Sequence, residues 1–148
     1  MKKIINILVL MIFAVNISCN DKCDEGEKAT PASFFVEIID ETTGENVFEN
    51  ETYTLQQITI QDLEEADIPY EFIEGVNLIQ IFPTVENPMG NTFLIKLNNE
   101  TTLQMDEVSI NYDVSSVKTE CFTTYKIENI LFPNNTSELV ENVHVIKV

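Results

Sequence analysis

Val108-Ser109-Ile110-Asn111-Tyr112-Asp113-Val114 is apolar at every even position and polar at every odd one. A period of two sends alternate side chains to opposite faces of an extended chain, so this stretch reads as a strand with one face dry and one wet. Working outward from it, Phe93, Ile95 and Leu97 form a second inward set, with Lys96 on the other face. Phe34, Val36 and Ile38 form a third. Cys121, Thr123, Tyr125 and Ile127 share one face of a later strand, and Val143 and Val145 share one face of the last. Val76 to Phe82 is apolar on both faces, which suits a central strand. Tyr53 to Gln61 carries two phases, Tyr53/Leu55 and Ile58/Ile60, which a bulge near Gln56-Gln57 would reconcile.

No segment sustains a helical period, so parallel crossovers through helices are not expected and the sheets should be antiparallel. Turn residues punctuate the strands at Asp40 to Asn46, Asn87 to Asn91, Asn98 to Glu100 and Pro133 to Asn135. Asp62-Leu63-Glu64-Glu65 could cap a single helical turn. Pro69 limits it, so a hairpin loop leading into Ile68 to Phe72 is preferred. The expected fold is an all-β, antiparallel β-sandwich of about seven to eight strands over residues 33–148.

The chain has 148 residues, with 8 Lys+Arg against 25 Asp+Glu, a formal net charge of −17. With 44% hydrophobic residues it can bury a core, and its length suits one folded domain. There is no arginine, no tryptophan and a single histidine. Phosphate and nucleic-acid binding need cationic forks and patches, so no nucleic-acid partner is expected.

Lys2 and Lys3 precede an apolar run from Ile4 to Val15, broken only by Asn6. The run falls short of the roughly 20 residues that span a bilayer and reads as a signal peptide. Asn16-Ile17-Ser18-Cys19 resembles the lipobox of bacterial lipoproteins, with the small Ser18 before the cysteine. Asn16 and Ile17 depart from that family's Leu and small residue. The resemblance implies cleavage after residue 18 and lipidation of Cys19. Residues 1–18 are then the signal peptide, 19–32 a lipidated acidic tether and 33–148 the β-domain. Asp21, Asp24, Glu25 and Glu27 follow the cysteine closely, as in the export signal of surface lipoproteins of the Bacteroidota. A plain solvated leash fits the same residues.

Two further resemblances bear on the body of the chain. Phe35 to Val47 (FVEIIDETTGENV) is similar to the opening hairpin of transthyretin-like and carboxypeptidase-regulatory-like β-sandwich modules, through Asp40, Thr43, Gly44 and Glu45. The implied domain is immunoglobulin-like or transthyretin-like. In plan, the chain resembles small Bacteroidota lipoproteins: an acidic tether, a β-domain, a late cysteine and a closing strand over residues 143–148. Neither resemblance implies an activity, a cofactor or catalytic residues.

Three cysteines need an explanation in an exported chain. Lipidation of Cys19 leaves Cys23 and Cys121 as a disulfide pair, closing a loop of about 98 residues worth roughly 4–5 kcal/mol on the loop-entropy model. The competing reading is a free Cys121 in the core. Metal binding by Cys23 and Cys121 lacks a CxxC partner, and His144 is isolated.

Asp62, Glu64, Glu65, Asp67 and Glu71 form an acidic cluster that could offer oxygen ligands to Ca²⁺, without the spacing of a calcium loop. Paired carboxylates for glycoside hydrolysis are arithmetically possible, but abundance makes each pair uninformative. Tyr53, Tyr70, Tyr112 and Tyr125 could stack sugars, yet their strand phases suggest packing. His144 reads as a structural or exposed strand residue. Asn50, Asn99, Asn134 and Asn135 match the glycosylation triplet but read as loop composition. The Pro83–Thr92 loop, with Met89 at its tip, is a candidate partner contact.

The expected function is a lipid-anchored cell-envelope protein, in the outer membrane and open to surface exposure, with a binding or structural role toward a protein or glycan. It is expected to be no enzyme, with no cofactor, metal or catalytic residue. The alternatives are a Ca²⁺-stabilised adhesive or carbohydrate-binding module and an accessory subunit of an outer-membrane complex.

Overall fold

The computed structural model describes residues 30–148. The expected signal peptide, Cys19, Cys23 and nearly all of the tether lie outside the described residues. Nine strands form two facing sheets. One sheet contains β1 (Phe34–Ile39), β3 (Tyr70–Ile73), β4 (Leu78–Ile81), β8 (Ser137–Val140) and β9 (Val143–Lys147), in the order β3-β4-β1-β9-β8. The other contains β2 (Ile58–Asp62), β5 (Asn91–Asn99), β6 (Gln104–Lys118) and β7 (Thr123–Leu131), in the order β2-β5-β6-β7. The all-β sandwich read from the alternation is therefore the fold, with nine strands rather than seven or eight.

The inward sets lie where their periods put them. Phe34, Val36 and Ile38 from one sheet meet Phe93, Ile95, Leu97, Val108, Ile110 and Tyr112 from the other, all buried. β4 is central, between β3 and β1, as its two apolar faces require. It is shorter than its apolar run, because Val76 belongs to the exposed turn after β3.

Five local expectations are corrected. The sheets are not wholly antiparallel, because β1 pairs with β9 in parallel, Val36 opposite His144 and Ile38 opposite Ile146. A parallel pair needs a long crossover, and here the whole intervening chain supplies it without an α-helix. The two phases of Tyr53 to Gln61 are reconciled by a 3₁₀ turn, Leu55–Gln57, rather than a bulge. Gln57 accepts a hydrogen bond through its side chain from the Thr54 N–H at 2.8 Å, which turns the chain before β2.

The segment after Asp40 is a turn closed by one bridge, Ile39 to Asn46, and not a full hairpin arm. The turn is as tight as the residues promised. Asp40 Oδ1 accepts from the N–H groups of Thr42 and Thr43 at 2.8 and 2.7 Å, and Gly44 takes φ +74°. Chain direction then fails to continue the sheet, because Asn46 folds its amide onto Glu37 Oε1 and Asn77 O instead of extending a strand.

The β6–β7 hairpin outruns the sandwich. Of the expected face Cys121, Thr123, Tyr125 and Ile127, only Ile127 packs against the core, and Cys121 and Tyr125 are exposed. Cys121 is disulfide-bonded, and Cys23, its expected partner, lies outside the described residues. In β9, Val143 and Val145 do share a face, but the core face is that of His144 and Ile146, set by the parallel register with Val36 and Ile38.

Candidate functional site

Two of the segments singled out by their residues, the acidic run after β2 and the loop before β5, come together at one end of the sandwich. The β2–β3 turn is organised by Asp62. Its Oδ1 accepts from the N–H groups of Glu64 at 2.8 Å and Ala66 at 2.9 Å, while its own N–H donates to Ala66 O at 2.9 Å. Glu65 takes φ +65°, the left-handed turn that reverses the chain. The turn is closed by one bridge, Gln61 to Asp67, but the expected hairpin into Ile68 to Phe72 does not form, because β2 and β3 belong to different sheets. Beyond Pro69 the chain crosses to the other sheet, where Phe82 N–H donates to Pro69 O at 2.9 Å.

The β4–β5 loop is pinned from below. Gly90 N–H donates to Asp113 Oδ1 at 3.1 Å, and Asn129 holds Asp113 Oδ2 at 2.9 Å. These two donors, Asn129 first, hold the Asp113 carboxyl below the usual carboxylate range. Val114 N–H donates to Pro88 O, and Asn91 Nδ2 to Asn87 O, both at 2.9 Å. Gly90 at φ +74° makes the bend. Met89 projects from the tip, 76% exposed.

Between the loops lies an open polar cleft of about 220 Å³, with Asp62, Glu64, Thr84, Asn87, Asn91 and Tyr112 among its walls. Tyr112 is buried, and its hydroxyl donates to Thr84 O at 2.9 Å, with Thr84 Oγ1 at 3.1 Å. Burial pushes the phenol up; the Thr84 bond opposes this, and the negative charge of Asp62 adds to it. None of the lining residues is His, Lys or Cys. The Thr84, Thr92 and Tyr112 hydroxyls and the Asn91 side-chain N–H are spent within the protein, which leaves the carboxylates of Asp62 and Glu64 and the exposed Asn87 amide as the polar groups of the cleft. Such a cleft can receive hydroxyl or ammonium donors, and it holds no paired nucleophile and base.

The acidic cluster does not converge. Asp62 Oδ1 is committed to its own turn, and Asp67 Oδ1 accepts from Gln61 Nε2 at 3.1 Å. Among the described residues no group of three His, Cys, Asp or Glu is placed to hold a metal ion. The tyrosines divide. Tyr53 and Tyr112 are buried, the former donating to Asp106 Oδ2 at 2.6 Å, while Tyr70 and Tyr125 are exposed. His144 is half-buried between the rings of Phe34 and Phe132, with centroids at 5.8 and 5.3 Å. Asn99 is buried, bonding Thr52 O and the N–H groups of Thr101 and Thr102. Asn50 brackets Thr52 and Asn135 bonds Lys147 O, so these amides serve loops.

A second concavity was not anticipated from the residues. Phe48, Tyr53, Leu55 and Phe72 surround it at the other end of the sandwich. Its signal in sequence is faint, because Phe48 and Phe72 are 24 positions apart and neither lies in a motif. No family model, curated protein or solved structure matches the chain. No helix among the described residues is long and apolar enough to cross a membrane.

Proposed function

We propose that this chain is a lipid-anchored cell-envelope protein whose β-sandwich binds a ligand or partner from loops at one end. The observation that carries the binding role is the convergence of the β2–β3 and β4–β5 loops around the Asp62–Tyr112 cleft, each held rigid by its own hydrogen bonds. Loops fixed on a stiff scaffold are where recognition residues concentrate. The anchor rests on Lys2, Lys3, the short apolar run and Cys19. Ser33 enters β1 beside Gln80, so the tether leads into the loop-bearing end.

The disulfide of Cys121 with Cys23 belongs to the same proposal. It would tie the tether to the turn between β6 and β7, at that end. Thiol anchoring through two or more acyl chains is stable, since each buried methylene contributes about 0.8 kcal/mol.

The test is intact mass and detergent-phase partition of the protein isolated from native membranes. A chain starting at Cys19, with acyl mass added and partition into detergent, is expected. A Cys19→Ser variant is expected in the aqueous phase. A native chain that begins at Met1 or is acyl-free overturns the reading.

A further inference from the structure

We propose that the concavity walled by Phe48 and Phe72 binds a small organic cation of the alkylammonium or quaternary ammonium kind. It is an open cavity of about 450 Å³ at the end of the sandwich away from the loop cleft, with Tyr53 and Leu55 completing its apolar wall and Glu51 and Asn77 at its rim. The Phe48 and Phe72 rings meet edge to face, centroids 5.3 Å apart and planes at 78°. Both are only partly buried, though both pack against the core. Aromatic surface is thus left facing the cavity. Tyr53 is almost fully buried and backs the wall from the core side, with its OH spent on Asp106 at 2.6 Å, so it offers the cavity no free hydroxyl.

Charge selects among occupants. None of the lining residues is Lys or His, and Glu51 stands exposed at the mouth. Glu74 lies in the same turn as Asn77, and the chain carries −17 overall. An anion is repelled by this field. A bare Na⁺ or K⁺ would lose its water against phenyl walls and gain one carboxylate. An ammonium group with an alkyl skin keeps both favourable terms: its hydrocarbon surface is removed from water, and its charge meets the negative ring faces and Glu51. This inference is independent of the anchor and of the loop cleft.

The probe is choline chloride, followed by ring-proton NMR of the folded domain at constant ionic strength, against the neutral isostere 3,3-dimethylbutan-1-ol. Saturable shifts of the Phe48 and Phe72 signals at millimolar choline are expected, with binding of the isostere about tenfold weaker. Glu51→Gln, an exposed change that leaves the walls intact, is expected to weaken choline binding about twofold to fivefold and leave the isostere unchanged. Phe72→Leu is expected to weaken choline more than the isostere, with Tyr112 signals as the reporter that the fold persists. Equal affinity for the two probes, no saturable shift, or choline shifts confined to Tyr112 at the other end would each overturn the assignment.

Discussion

His144 is the chain's one imidazole, and it points at two phenyl rings rather than at solvent or a carboxylate. Burial disfavours its charged form and pulls its pKa below 6.5. The folded state therefore binds the proton less readily than the unfolded state. The contribution to stability is complete above the unfolded value and is lost as pH falls through the folded one. We predict a histidine ring titration midpoint below 6.5 by NMR, and a falling unfolding midpoint between pH 7 and about 5 that a His144→Phe variant lacks. The carboxylates of Asp40, Asp113 and Glu128 are held low and stay ionised across that window. Leu103 offers a second test at this scale. It is 84% exposed in the turn after β5 and takes φ +60°, a conformation costly for a bulky side chain. Leu103→Asn is expected to raise stability by about 0.5–1 kcal/mol in denaturant unfolding. Unchanged or lower stability would show that the turn gains nothing from a residue tolerant of positive φ.

The closing strand β9 brings the first and last strands of the described residues into one sheet. It pairs with β1 in parallel and with β8 in antiparallel fashion, so it is internal although last in sequence. Ile146 is fully buried and sits opposite Ile38. Ile146→Ala is expected to cost about 2–5 kcal/mol, whereas Val140→Ala on the exposed edge strand β8 is expected to change stability by less than about 0.5 kcal/mol. Equal effects on chemical unfolding would contradict the central placement of β9. The alternation of Val143 to Val145 was legible, but not its direction. In a short strand with apolar residues at 143, 145 and 146, either face can be the inner one. The register with β1, set by Val36 and Ile38 across the sheet, decides. The hairpin overhang of β7 escaped for a related reason: its alternating residues read as half-buried wherever a facing sheet exists, yet Ser116 and Val117 of β6 and their partners Tyr125 and Thr124 are all exposed.

At the scale of the molecule, excess negative charge works against compactness. Four lysines lie among the described residues, and Lys126 to Glu128 is the one ion pair there, both partners exposed. Exposed pairs contribute little, and neighbouring carboxylates repel one another across a dielectric that salt can screen. The screening length falls from about 30 Å at 10 mM salt to about 8 Å at 150 mM. The thermal unfolding midpoint is predicted to rise over that range of NaCl. A flat or falling midpoint would mean that the acids are spread too far apart to matter. The same field favours cationic visitors at both concavities and disfavours anionic surfaces.

The residue order alone determined the dry and wet faces of β1, β5 and β6, the tight turn at Asp40 to Glu45, and the two loops that wall the polar cleft. Those features depend on neighbours two to five positions apart, where the geometry of an extended chain or a turn leaves few choices. Tertiary structure decided that the first strand lies parallel to the last, that Phe48 meets Phe72, and that the acidic cluster fails to converge. Each of those depends on which sheet a segment joins after its turn. That choice is settled by the total apolar surface two whole sheets can bury against each other, a quantity no local pattern contains.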